Sequence, residues 1–187
     1  SEYLTRLTTE ATRKGFIVAY AGSRPMSVKT VVKLARVPEE VANLWCIDPK
    51  RVYATGHSDG ATVSTALVLL AETKGIFSAI APSAAGFSRK DLESFRCPAP
   101  IPVMVMHGGQ DTHFPGWGKE AAQWWASCNA CDIAKSPAPV RGGCVSFQDC
   151  APGGATLYCE GSGSHRDWPP LGGEILRFFG SGGTRAM

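Results

Sequence analysis

The sequence predicts an α/β domain built around a mostly parallel sheet with helices on both faces. Short apolar runs rich in β-branched residues alternate with longer stretches of helical periodicity along the chain. Strands that alternate with helices are typical of parallel sheets, because each crossover helix covers one face of the sheet. The length of 187 residues is enough for one sizeable core, so residues 1–187 are expected to form a single domain.

The N-terminal part is predicted to contain a strand between two helical stretches. Leu4–Arg13 has helical periodicity, and Gly15 is placed to end that helix. Phe16–Tyr20 is a short apolar run bounded by glycines, which predicts a buried strand. Val28–Trp45 is predicted to be helical, and Pro38 within it either breaks the helix or begins a second one.

The rest of the chain predicts further strands, each leading into a helix or a small-residue loop. The predicted strands are Arg51–Thr55, Phe77–Pro82, Ile101–Met106 and Ala155–Cys159. The predicted helices are Ser58–Ala71, Lys119–Ser127 and Gly173–Phe179.

Charge and hydropathy exclude two classes of partner. The net charge of +3 is small and no run of Lys or Arg forms a basic stripe, so no nucleic acid is expected as a partner. The longest apolar stretches, such as Ala61–Ala71 and Ile101–Met106, are too short to cross a bilayer, so no membrane span is expected.

The cysteines predict a disulfide-bearing loop before the last strand. The chain has seven cysteines, and the segment Cys128–Cys159 holds five of them among many Gly, Pro and Ser residues. Such a segment buries few apolar side chains, so disulfides are expected to hold it, which indicates a secreted protein. The alternative, a zinc site on Cys128 and Cys131, lacks a second pair at matching spacing, and we predict no metal. The pairing stays open, and the odd count leaves one thiol free or bonded outside this chain.

The motif G-x-S-x-G occupies Gly56–Gly60, between a predicted strand and a predicted helix. This context is typical of a nucleophile elbow, a tight turn that presents the serine above the sheet at a helix N-terminus. Ser58 is therefore the predicted nucleophile. The backbone N–H of Asp59 is the predicted oxyanion donor.

A serine nucleophile needs a base and an acid, which follow it in this architecture on loops after later strands. Asp111 follows the strand Ile101–Met106 and is the predicted acid. His165 follows the strand Ala155–Cys159 and is the predicted base. The rivals are His113 as base and Asp167 as acid.

Other polar and aromatic residues near these positions receive secondary roles. His107 ends a predicted strand and is expected to support the acid loop by a hydrogen bond. His57 is expected to point away from the Ser58 hydroxyl, and we assign it to substrate binding. Trp168 is the preferred aromatic contact for substrate because it lies close to His165. No organic cofactor is expected.

Several segments resemble one family of secreted enzymes. Arg13–Tyr20, Cys46–Gly60 and Val103–Asp111 are similar to the corresponding segments of polyhydroxybutyrate depolymerases and of feruloyl or acetylxylan esterases. Trp125–Cys131 and Gly163–Pro169 resemble their disulfide-bearing loop and histidine loop. The resemblance implies an α/β-hydrolase fold with Ser58, Asp111 and His165 as the catalytic triad.

The chain departs from that family in three ways. Asp59 stands where the family has a small residue or Asn, and an extra residue lies between His165 and Trp168. The family's first strands and their His-Gly oxyanion loop belong before Ser1. The expected domain is therefore an α/β-hydrolase lacking the first strands, either as the C-terminal part of a longer catalytic domain, which we favour, or as a domain whose sheet is cut down.

The function that the sequence predicts is that of a serine esterase hydrolysing carboxylic esters through an acyl-enzyme. Feruloyl or acetyl esters and polyhydroxyalkanoates stay open as substrates, and so does whether the ester is polymeric or carbohydrate-linked. The alternative is a catalytically impaired hydrolase-like domain that binds a ligand or a partner.

Overall fold

A computed structural model of the chain describes residues 2–181. A six-stranded sheet with the order β1-β2-β3-β6-β5-β4 forms the centre of the molecule. The strands are β1 (Tyr53–His57), β2 (Ala79–Ser83), β3 (Val103–Gly108), β4 (Ala138–Pro139), β5 (Cys144–Ser146) and β6 (Thr156–Gly161). The helices are α1 (Glu2–Thr5), α2 (Thr8–Arg13), α3 (Val28–Leu34), α4 (Val37–Ala42), α5 (Asp59–Leu69), α6 (Arg89–Glu93), α7 (Trp117–Cys128) and α8 (Gly172–Gly180), with a 3-10 turn at Arg141–Gly143.

The sheet is mostly parallel, as predicted. Strands β1, β2, β3 and β6 run parallel, while β4 and β5 continue the sheet beyond β6 in antiparallel pairs. The carboxyl ends of the parallel strands therefore meet at one edge of the sheet. Loops that leave this edge carry the binding and catalytic groups of open α/β sheets.

Helices cover both faces of the sheet, and the side chains of β3 show how. Val103 and Val105 face a cluster that contains the apolar side chains of α5 and α7. Met104 and Met106 face the opposite cluster, which contains those of α8. All four side chains are buried, as expected for a central strand covered on both faces.

The predicted strands after Arg51 are confirmed. They correspond to β1, β2, β3 and β6, each of which begins one or two residues later than predicted. The predicted helices correspond to α5, α7 and α8. Pro38 begins a second helix, since it lies in the first turn of α4.

The strand predicted at Phe16–Tyr20 is wrong. This segment lies outside the sheet, and the side chains of Ile17 and Tyr20 are 51% and 37% exposed. Its apolar composition suits a strand, but a strand requires a hydrogen-bonding neighbour. Strand β1 pairs with β2, and no segment within residues 2–181 pairs with its other edge. The helix predicted at Leu4–Arg13 is also divided, into α1 and α2, with a positive φ of 51° at Arg6.

Three disulfides hold the cysteine-rich part of the chain, as the sequence predicts. They join Cys97 to Cys128, Cys131 to Cys150, and Cys144 to Cys159. Since Cys128 and Cys131 belong to different disulfides, the zinc alternative is wrong. Cys46 is free and exposed.

The cysteine-rich segment is more ordered than a loop. It contains β4, β5 and the 3-10 turn, and the disulfide Cys144–Cys159 joins paired positions of β5 and β6. Strands this short do not contain enough residues for an alternation of apolar and polar side chains to be recognised in the sequence. Within residues 2–181, no helix is both long enough and apolar enough to cross a bilayer.

Candidate active site

Ser58 occupies a strained turn between β1 and α5. Its backbone has φ 54° and ψ −116°, a conformation that costs free energy for a residue with a Cβ atom. A Cβ atom at Gly56 would lie 2.5 Å from the carbonyl carbon of Gly60, so only glycine fits there. The N–H of Ser58 donates to the carbonyl of Ser83 at 2.9 Å, which fixes the turn against the end of β2. These features are those of the predicted nucleophile elbow.

The loops after β3 and β6 are joined by backbone hydrogen bonds. Gly109 N–H donates to the carbonyl of Gly161 at 2.7 Å, and Gln110 N–H donates to that of Gly163 at 3.0 Å. A Cβ atom at Gly108 would lie 2.3 Å from the carbonyl oxygen of Gly163. The glycines therefore permit a close approach that positions the acid loop and the histidine loop relative to one another.

The three predicted triad residues lie in one hydrogen-bonded line. Ser58 Oγ is 2.9 Å from His165 Nε2, and His165 Nδ1 is 2.8 Å from Asp111 Oδ2. A carboxylate accepts hydrogen bonds, so Nδ1 of His165 carries a proton and Nε2 is left to accept the serine proton. The side chain of Asp111 is fully buried, while that of His165 is 21% exposed.

The surroundings of the Asp111 carboxylate favour its ionised form. Burial alone would raise the pKa of Asp111, but hydrogen bonds from the Phe114 N–H, the His165 ring and the His113 N–H outweigh it and hold the pKa below its usual value. The two backbone N–H groups, at 2.8 and 2.9 Å, bind Oδ1. Oδ2 is left to orient the imidazole.

Comparisons with known proteins agree on one kind of fold. No family model matches the chain. Feruloyl esterase B from Piromyces equi is 28% identical over an alignment of 163 residues that covers 75% of this chain and 30% of that protein. The acetyl xylan esterase from Aspergillus awamori superposes with a TM-score of 0.65 at 18% identity, covering 96% of this chain and 81% of that one. SOBER1 from Arabidopsis thaliana superposes with a TM-score of 0.50 at 15% identity, covering 84% and 67%.

The chain has an α/β-hydrolase fold. The predicted resemblance to esterases of the feruloyl and acetyl xylan type is confirmed. The chain spans about 30% of the length of the curated relative. The order of Ser58, Asp111 and His165 along the chain is the order in which an α/β-hydrolase fold supplies its nucleophile, acid and base.

The rival acid and base occupy other positions in this α/β-hydrolase. Asp167 accepts hydrogen bonds from the N–H and hydroxyl of Ser164 at 2.7 and 2.8 Å, and these bonds lower the pKa of Asp167. It therefore shapes the histidine loop. The ring of His113 lies beside that of His165, with centroids 4.8 Å apart. His107 bonds the Phe114 carbonyl through Nε2 at 3.0 Å, which supports the acid loop as expected.

The predicted oxyanion donor lies next to the nucleophile. Asp59 is the first residue of α5, so its N–H belongs to the positive end of that helix. Asp59 is exposed to solvent. Within residues 2–181, no group of three or more His, Cys, Asp and Glu side chains is arranged to hold a metal ion.

The two predicted substrate-binding residues make contacts within the protein. Trp168 is half-buried, packs against the core near α8, and lies edge-on to His57 with ring centroids 6.2 Å apart. Both ring nitrogens of His57 are hydrogen-bonded, Nδ1 to Ser83 Oγ at 3.0 Å and Nε2 to the carbonyl of His165 at 2.7 Å. The side chain therefore connects the end of β2 to the histidine loop.

The sequence alone does not single out Phe114, which forms an aromatic shelf with Trp117 beside His165. Phe114 and Trp117 stack with ring centroids 4.7 Å apart, and the Phe114 ring stands perpendicular to that of His165 at 4.9 Å. Both aromatic residues are only partly buried. Their three-residue spacing directly after Asp111 is the signal that would have placed them near the site.

Proposed function

We propose that this chain carries the triad of a serine esterase that hydrolyses carboxylic esters through an acyl-enzyme. The observation that carries the proposal is the continuous line of hydrogen bonds from Ser58 through His165 to Asp111. A serine hydroxyl is inert at neutral pH unless a base accepts its proton, and this line supplies the base.

The proposed reaction has two halves. Ser58 Oγ attacks the ester carbonyl carbon while His165 Nε2 takes the hydroxyl proton. The negative oxygen of the tetrahedral intermediate faces the N–H of Asp59, and His165 then gives its proton to the departing alcohol. In the second half a water molecule attacks the acyl-enzyme, His165 takes the proton from that water and returns it to Ser58, and a carboxylic acid leaves. Asp111 keeps the imidazole in the required tautomer throughout.

Feruloyl or acetyl esters are the proposed substrates, with polyhydroxyalkanoates as the alternative. The names of the similar esterases support the first class. The shelf of Phe114 and Trp117 beside His165 also suits a flat aromatic acyl group, because aromatic rings pack well against one another. Turnover of methyl ferulate compared with a short hydroxybutyrate oligomer separates the two classes.

The catalytic proposal is tested with Ser58→Ala and a fluorophosphonate probe. We expect the wild-type chain to react with the probe at Ser58, and Ser58→Ala to lose both labelling and ester turnover while keeping its fold and its three disulfides. Mass spectrometry locates the labelled residue. A wild-type chain that does not react would reject the proposal and favour the alternative, a hydrolase-like binding module.

We also propose that this is a secreted domain and that further strands of the same catalytic domain add to β1. Three disulfides support an oxidising compartment. The edge of β1 that faces away from β2 has no paired strand within residues 2–181, and the outward backbone groups of such an edge can pair with another strand. By resemblance, the loop after such a strand supplies the second oxyanion donor.

A further inference from the structure

A closed ring of hydrogen bonds surrounds the nucleophile elbow. The Ser58 N–H donates to the carbonyl of Ser83 at 2.9 Å, and the Ser83 hydroxyl lies 3.0 Å from His57 Nδ1. His57 Nε2 lies 2.7 Å from the carbonyl oxygen of His165, and His165 Nε2 lies 2.9 Å from Ser58 Oγ. Four residues from β1, β2 and two loops are thereby joined in one circuit.

The chemistry of the groups fixes the direction of the bonds at His57. A carbonyl oxygen can only accept, so Nε2 of His57 must carry a proton and donate it to His165. In the neutral imidazole the other nitrogen, Nδ1, is then an acceptor, and the hydroxyl of Ser83 donates to it. Burial lowers the pKa of His57, and the bond to the His165 carbonyl opposes this only in part, so the ring is neutral at neutral pH.

We propose that His57 is a positioning residue that holds the backbone of the catalytic histidine, through the bond from His57 Nε2 to the carbonyl of His165. The proposal rests on the serine esterase function. It replaces the substrate-binding role that the sequence suggests for His57.

The location of His57 makes this role physically reasonable. It ends β1, in register with Ser83 at the end of β2, so its backbone belongs to the sheet. Ser83 is 1% exposed, which makes it a rigid second support for the ring. His165, by contrast, follows the glycines Gly161 and Gly163 on a loop. A bond from the sheet to the His165 carbonyl fixes the base relative to Ser58, which lies next to His57 in the chain.

Three substitutions at one position separate the bond to His165 from the bond to Ser83. In His57→Gln the side-chain amide nitrogen takes the place of Nε2 and still donates to the His165 carbonyl. In His57→Asn the shorter side chain places its amide near Ser83 and does not reach His165. His57→Leu removes both bonds and keeps a similar volume.

The test measures fluorophosphonate labelling rate, kcat and KM for the wild type and each variant. We expect His57→Leu and His57→Asn to lower labelling rate and kcat by about a hundredfold, the effect of displacing a catalytic group by about 1 Å, with KM unchanged. His57→Gln should recover most of the loss. Unfolding midpoints and the presence of the three disulfides check the fold of each variant. If His57→Leu does not fold, Ser83→Ala replaces it as the test variant, and its expected effect on kcat is smaller.

Three results would overturn the positioning role. The first is equal rates in wild type and His57→Leu, and the second is equal losses in all three variants. The third is a raised KM at unchanged kcat, which indicates substrate binding instead. A readout independent of turnover is the downfield proton resonance of His165 Nδ1–H, bonded to Asp111. This resonance should persist in His57→Gln and weaken in His57→Leu. The result does not depend on ester turnover, so it tests the positioning role even if the wild type fails to react with the probe and the esterase proposal is rejected.

Discussion

At the scale of single residues, the site depends on how each oxygen of Asp111 is used. Oδ1 accepts the N–H groups of His113 and Phe114, and Oδ2 accepts the proton of His165 Nδ1. A buried carboxylate without partners would take up a proton, because burial disfavours the charged form. The turn after β3 therefore supplies the backbone donors that keep the acid charged where water does not reach it.

Asp111→Asn tests this arrangement because it preserves shape and removes charge. We expect kcat to fall by about 10⁴-fold, the effect that the same change has on the triad acid of a serine protease. The amide can present an N–H to His165 and so favours the wrong imidazole tautomer. Steady-state ester turnover measures the loss, and a loss of less than tenfold would contradict the assignment of Asp111 as the acid.

The same variant has a predicted pH dependence of stability. The pKa of Asp111 lies below its ordinary value of 3.8 in the folded chain, so its ionised form stabilises the fold above that pH. The stabilisation is lost as pH falls through the lower, folded pKa. The wild type's advantage over Asp111→Asn in free energy of unfolding should thus shrink on acidification. Urea unfolding near pH 6 and near pH 3 measures it.

At the scale of elements, the pairing of β3 with β6 positions Asp111 and His165 relative to one another. These strands are in register at six positions, from Val103 with Thr156 to Gly108 with Gly161. Asp111 follows one strand and His165 follows the other. The disulfide Cys144–Cys159 instead joins β6 to β5, on the side away from β3. Stability and catalysis should therefore respond differently to its removal.

The double variant Cys144→Ala/Cys159→Ala tests that separation. The disulfide closes a separation of 15 residues, for which loss of the cross-link costs about 3 kcal/mol in the chain-entropy model. We expect the free energy of unfolding to fall by about that amount, with kcat within about threefold of the wild type. Removal of Cys97–Cys128, which joins the end of α7 to the segment between α6 and β3 and not β5 to β6, is the control. A tenfold fall in kcat confined to the first variant would show that β5 holds the histidine loop.

Local signals explain which elements the sequence predicts well. The runs that predict β1, β2, β3 and β6 are short and bounded by turn residues, and the strands β2 and β3 are almost wholly buried. Phe16–Tyr20 has the same composition and fails, because pairing with a neighbour is a property of the whole sheet. The strands β4 and β5 have two and three residues, which is too few to show the two-residue periodicity of a strand.

At the scale of the whole molecule, topology explains why the meeting of Ser58, His165 and Asp111 could be predicted from the sequence while the hydrogen-bonded ring through His57 could not. Ser58 and His165 lie 107 residues apart, yet each follows a parallel strand, and such strands end at one edge of the sheet. That rule needs only the order of elements. The contact of His57 with Ser83 depends on which strands are neighbours, and the contact of Phe114 with His165 depends on a loop conformation.

The outer edge of β1 should exchange its amide protons faster than the central strands do. Strand β3 lies between β2 and β6, whereas β1 has a partner on one side within residues 2–181. Every second amide of an edge strand points away from its single neighbour. Hydrogen exchange of the chain at low concentration should therefore show fast exchange for these amides of β1 and protection close to the global free energy of unfolding for β3. Equal protection along both strands would show that this edge is covered, and loss of that protection on dilution would identify a second copy of the chain as the cover.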